Sequence, residues 1–232
     1  AITSLPSLND HELQLLPFYT NFVTELGITG DSYLDAQQRQ AATVGSISAF
    51  TSMRGTLESE QDVTANFILS SKALLRHSAA QTQLMRDTLE SVRFDETSRI
   101  ADLISQQRAR REQGITGNGH SLAMTAACAG MSPLAKLNHQ VSGMAGIKAL
   151  RALDEGLGDP AKLSTFAAEL EIIHRQICAM PVQLLTVAES EKIPELTLET
   201  ANLWQQYNKE DSASKFQLQP VRAAVGELWL SN

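Results

Sequence analysis

Hydrophobic positions recur at helical spacing through most of this chain and alternate with a period of two in only a few places. Leu15, Tyr19, Phe22 and Leu26 form a stripe at intervals of four, three and four, which predicts a helix over about His11–Leu26. The cap-type residues Asn9 and Asp10 precede it, Pro17 interrupts or restarts it, and Gly27 and Gly30 stop it. Ser32 then caps a second helix, Tyr33 to about Thr43.

After Gly45 the period changes. Ile47, Ala49, Thr51 and Met53 share one face of a strand, and Val63, Ala65, Phe67 and Leu69 alternate in a second. The polar connection Arg54–Asp62 makes the pair an antiparallel hairpin with a long loop. Leu84, Met85, Leu89 and Val92 mark a helix beginning near Ser78. Asp95 is placed as the cap of the next, which carries Ile100, Leu103 and Ile104 and ends in Arg108, Arg110 and Arg111. Gly114, Gly117 and Gly119 break it.

A short helix follows over Ser121–Ala129. Ser132–Pro133 is a cap followed by a first-turn proline, opening a helix to about Val141. Another runs from Ile147 to Leu157, and Asp159–Pro160 repeats the start signal for a long one through Ala179. Its stripe is Leu163, Phe166, Leu170, Ile173 and Ile177. Pro181 ends it, and Val182–Ala188 reads as a third strand. The rest, with Pro194 and a polar stretch from Gln205 to Ser214, reads as a connector. Eight or nine helices around three strands give an α+β, helix-rich domain with a small antiparallel sheet. A sheet that small keeps unpaired edges, so it is expected to be incomplete, a fragment finished from elsewhere.

Composition narrows the function. The 232 residues are 43% hydrophobic and 19% charged, an ordinary globular mixture. A net charge of −7 argues against nucleic acid as a partner. No apolar run approaches the roughly 18 residues of a membrane span, so no membrane partner is expected. The opening residues also lack the basic-then-apolar pattern of a signal peptide. Cys128 and Cys178 match neither a disulfide framework nor a zinc spacing, and suit a reducing compartment, cytoplasm or organelle matrix.

The histidines offer no catalytic motif. His11–Glu12 would open H-E-x-x-H, but position 15 is Leu. The inverse H-x-x-E-H occurs at none of the five histidines. Glu171 and His174 form one E-x-x-H, half of what a di-iron bundle needs, and a structural role is expected for both. His120 sits at a helix start and reads as part of a capping arrangement, too far from Cys128 to make a catalytic pair. The glycines from 114 to 119 lack the Lys and Ser/Thr of a phosphate loop. The arginines at 108, 110 and 111 read as a solvated helix end, with an acidic partner as the less favoured use.

One set of residues nevertheless forms a pattern. Gly119, His120, Ser121, Leu122 and Ala123 are followed by Met131, Ser132, Pro133 and Leu134, and then by Ser142 and Gly143. Ahead of them come Leu5–Pro6, Leu15 to Tyr19, Gly27, Ser32–Tyr33 and Gly45 to Ser48, and after them Ile172 to His174. In this order and spacing the chain resembles the presequence-protease branch of the pitrilysin/insulinase zinc metallopeptidases, in the domain that follows their catalytic half. The resemblance covers about residues 4–190, with 191–232 as a connector toward a missing final domain. It implies a clamshell of related α+β domains, of which only the first holds zinc, through H-x-x-E-H and a later Glu.

The helix over His11–Leu26 would then stand in the place of the zinc helix, with Leu15, Leu16 and Tyr19 where ligands would be. The resemblance also implies a strand just ahead of Leu5, with Ala1 outside the domain, and a chain excised from a much longer protein. This piece is expected to hold no catalytic residue and no metal. Its partners would be other domains of the same polypeptide and the peptide that the intact enzyme cleaves. Tyr33, Gly45, Gly119, His120, Ser121, Ser132 and Pro133 are motif residues with an expected structural role. A catalytically inactive relative, working as a binding or scaffold protein, is the other reading. An upstream sequence without H-x-x-E-H would favour it.

Overall fold

A computed structural model describes residues 1–205 and 216–221. Among the described residues the chain folds as β1 (Ile2–Ser4), α1 (Asp10–Phe22), α2 (Tyr33–Thr43), β2 (Ser46–Gly55), β3 (Val63–Lys72) and α3 (Ser78–Glu90). It continues as α4 (Thr97–Gln113), α5 (Gly119–Cys128), α6 (Pro133–Val141), α7 (Met144–Gly156), α8 (Pro160–Cys178), β4 (Val182–Gln183) and α9 (Ile193–Trp204). The expected helix-rich α+β class is what forms. No helix among the described residues is long and apolar enough to cross a membrane.

The four strands are antiparallel in the order β2-β3-β1-β4. The β2–β3 hairpin forms where alternation placed it, pairing Ser46 with Lys72 through to Gly55 with Val63. Ile2–Ser4, too short to show alternation, takes a central place between β3 and β4. The strand expected just ahead of Leu5 therefore lies inside this chain. Ala1 continues its ladder, donating from its nitrogen to the Leu69 carbonyl at 2.8 Å. The third strand expected over Val182–Ala188 pairs only at Val182 and Gln183, because β1 meets it only at Ile2 and Thr3. The stretch read as a connector contains α9, whose Trp204 is buried. Beyond Gln205, the connector stretch to Ser214 and the end at Glu227–Asn232 lie outside the described residues.

Local chemistry sets the helix ends. Ser32, Ser132 and Asp159 accept from backbone N–H groups of α2, α6 and α8, as their sequence context predicts. Asn9 and Glu12 form a reciprocal capping box at α1, which ends at Phe22 rather than Leu26. Asp95 is a correction. It makes no cap, because α4 begins at Thr97, and its carboxylate instead binds the Arg93 guanidinium at 2.9 Å.

One core joins α1, α4, α8 and the inner face of the sheet, where Ala65, Phe67 and Leu69 of β3 are buried. Its centre is Tyr19, 0% exposed, with its ring 5.6 Å from Phe67, 5.9 Å from His174 and 6.5 Å from Phe94. A buried phenol needs a hydrogen-bond partner. Its oxygen lies 3.1 Å from Nδ1 of His174, where a neutral ring accepts from the hydroxyl. His174 is itself 7% exposed. Burial, which penalises the charged ring, draws its pKa down to about 4, while Glu171 pulls upward and Arg175 downward.

A second assembly fixes the turn between α1 and α2. The Glu96 carboxylate accepts from the N–H of Gly27 at 2.7 Å and of Tyr33 at 2.9 Å. Backbone bonds from Arg93 N–H to Gly27 O and from Thr29 N–H to Ser91 O, each 2.8 Å, run alongside. Arg99 adds an ion pair to Glu25 and lies 4.6 Å over the Tyr33 ring. Gly27 is required by space: a Cβ there would stand 2.4 Å from the Asp31 carbonyl oxygen and 2.9 Å from Glu96 Oε2.

Two outcomes follow. Glu96→Ala strands two partly buried N–H donors and should cost about 2–4 kcal/mol in urea unfolding, with Gly27→Ala similar. A midpoint unchanged in both would remove the Glu96 assembly as a stabilising element. His174 sets a pH dependence. Its folded pKa is depressed, so below about 6.5 the unfolded chain takes up a proton that the folded one refuses. Stability should fall as pH drops from about 6.5 to about 4, by up to about 3 kcal/mol from this group. His174→Gln should flatten that part of the profile, and an identical slope in the variant would contradict the assignment.

Candidate functional site

The motif residues fall on two surfaces and do not converge on a catalytic centre. Tyr33 is the first residue of α2 and is held by Glu96 and Arg99. Gly45 leads into β2, its N–H donating to the Lys72 carbonyl at 2.8 Å. Ser132 caps α6 by accepting from Ala135 N–H at 3.2 Å, and Pro133 beside it is buried.

Gly119, His120 and Ser121 lie together on the first turn of α5, exposed to solvent. His120 does no capping there: the cap position is Asn118, and no side chain supplies a cap bond. Instead the Asn118 amide and N–H both bind the Gly114 carbonyl at 3.0 Å, closing the glycine turn.

α5 is unlike its neighbours. Its sequence is almost wholly apolar or small, yet none of its residues is buried. Met124 is 55% exposed, and Met131 just beyond it is 63% exposed. Helices of this composition are normally covered.

The basic end of α4 is used internally more than expected. Arg108 pairs with Asp154 at 2.9 Å and with Glu112 and Glu155 at 3.2 and 3.3 Å, tying α4 to α7. Arg111 donates to the Val141 carbonyl at the end of α6, and burial draws its pKa down. Of the three, Arg110 alone keeps the exposed position expected for all.

The residues present do not fit a catalytic zinc, which needs three protein ligands around one point. His11 is exposed and faces Glu169 at 3.1 Å, while Glu12 is spent on the Asn9 cap and on Gln176. Leu15, Leu16 and Tyr19 on the same helix are buried. Glu171 pairs with Arg175, and His174 faces Tyr19. His77 accepts from Arg76 Nε at 3.2 Å. Among the described residues no three His, Cys, Asp or Glu side chains gather as a metal site.

Sequence reasoning missed Glu96 and Phe94, because what makes each matter is a contact with residues about seventy positions away. Their only local signal was the polar break after Val92, which was spent on Asp95.

The same architecture occurs in longer proteins. The chain is 28% identical over 155 residues to the mitochondrial presequence protease of Danio rerio, covering 67% of this chain and 15% of that protein. It is 22% identical over 178 residues to presequence protease 1, chloroplastic/mitochondrial, of Arabidopsis thaliana, covering 77% and 16%. A Drosophila melanogaster mitochondrial presequence protease aligns over 141 residues at 21% identity, covering 61% and 14%. The chain thus spans about 15% of the length of the curated relatives it matches. The family model for the domain associated with subfamily C of metallopeptidase family sixteen matches residues 1–153, well over half of the 232, so the chain belongs to that peptidase-associated family, on its presequence-protease branch.

Proposed function

We propose that this peptidase-associated domain is a wall of a closed chamber in a longer, zinc-dependent oligopeptidase that hydrolyses unstructured peptides. Its own residues would hold shape and domain contacts, while the zinc and the attacking water would belong to another domain of the same polypeptide.

The observation that carries this is α1. The resemblance sets α1 in the place of the zinc helix, and its Leu15, Leu16 and Tyr19 are built into the core. A helix so used has no face left to present ligands. Family membership and relatives named presequence proteases support the peptidase setting. The uncovered apolar helix α5 supports a domain that packs against further polypeptide.

A chamber selects by size and flexibility. The full-length polypeptide should therefore cleave an unstructured peptide, and cleave the same segment at least about a hundredfold more slowly within a folded protein. The 232-residue chain alone should cleave neither. Equal rates on both substrates would contradict the chamber. A parent reading frame lacking H-x-x-E-H, with no cleavage, would replace it with the scaffold reading.

A further inference from the structure

The sheet contains an open lane beside β1. Pairing is fixed at Ile2 with Ile68 and Gln183, and at Thr3 with Phe67 and Val182. Both neighbours are antiparallel to β1, and both run on past its beginning. β3 continues to Lys72, and the chain after β4 continues through Leu184 to Ala188. Between these two runs lies a cavity of about 550 Å³. Ser70 to Lys72 line one side and Leu184 to Ala188 the other, Met85 and Trp204 contribute from α3 and α9, and Ala1 and Ile2 stand at one end.

The register of the lane is set by bonds already made. Ala1 and Leu69 exchange both backbone bonds, at 2.8 and 2.9 Å, and Leu5 N–H donates to the Ala65 carbonyl at 2.9 Å. Odd-numbered residues of β3 therefore direct their N–H and C=O toward β1, and the next of these is Ser71. By the same alternation Ile2 faces Gln183, so on the opposite wall Leu185 and Val187 direct theirs inward. Leu185 is 71% and Val187 86% exposed. Two rows of strand-edge groups thus face one gap a single strand wide.

We propose that this lane is the seat of an extended polypeptide segment, namely the residues directly ahead of Ala1 in the longer polypeptide, which prolong β1 by at least three positions. The first residue ahead falls opposite Ser70 and Leu185, the second opposite Ser71 and Thr186, and the third opposite Lys72 and Val187. A strand antiparallel to both walls is collinear with β1, so a segment continuous with Ala1 enters without a turn. The nitrogen of Ala1 already sits in the ladder, and burial draws its amino group down to about 6. A peptide N–H makes the same bond there without a charge. The second residue ahead shares a face with Thr3 and Leu69, both buried, and should be apolar or small. The inference rests on the reading of this chain as one domain of a longer polypeptide, which relatives more than six times its aligned length support.

Hydrogen exchange at the amides of Ser71, Leu185 and Val187 tests it, read in the 232-residue chain and in the full-length polypeptide. All three should exchange at least about a hundredfold more slowly in the full-length form. Thr186, whose N–H faces away from the lane, should exchange fast in both. Equally fast exchange of the three amides in a longer polypeptide would overturn the lane and leave the domain reading standing. Protection in the 232-residue chain that rises with its concentration would overturn it too, by giving the lane to a second copy. A parent reading frame that opens at Ala1 would overturn the longer-polypeptide reading itself.

Discussion

A phenol hydroxyl carried into the centre of an apolar core must find a partner there, and the rest of this fold is arranged around how Tyr19 does so. The partner is His174, 155 positions away along the chain. Bringing the two together lays α8 across α1 and presses both against Phe67 of the sheet and Phe94 ahead of α4. The ring can serve only while neutral, and the burial that makes the contact also depresses its pKa. Cys178, one turn on, sits 3.6 Å from Nε2 and extends the same cluster. The half-motif of a di-iron site is spent on holding two helices together.

The same substitution of packing for chemistry runs through the whole of α1. Leu15, Leu16 and Tyr19 bury a helix that the resemblance sets in the zinc helix's place. Its carboxylate, Glu12, closes a capping box. Glu96 likewise spends both carboxylate oxygens on the backbone of the turn after α1. What this domain leaves uncommitted is surface rather than reactive groups: α5, with no buried residue, and the edge groups beside β1. Both suit a part that is completed by its neighbours.

Local signals in the sequence were sufficient where the physics is local. The bounds of α2, the β2–β3 pairing and the starts of α6 and α8 follow from caps, prolines and alternation within a few residues. β1 was out of reach of that reasoning because three residues carry no period, and it forms only because β3 and β4 are there to receive it. Asp95 had the right chemistry for a cap and a nearer cation to bind. Arg108 and Arg111 ended a helix as the dipole argument required, but acidic and carbonyl partners on α6 and α7 take up two of the three charges. As for the site, the motif residues were legible as an ordered set, while the roles of Glu96 and Phe94 depend on contacts made only in the fold.

The central claim is that this domain serves a zinc peptidase without holding the zinc. Metal content measured on the full-length polypeptide and on the 232-residue chain, both purified under the same conditions, tests it most directly. The account predicts close to one zinc per full-length molecule and none retained by the 232-residue chain. Stoichiometric zinc in the 232-residue chain, lost on substitution of His11 or His174, would contradict it.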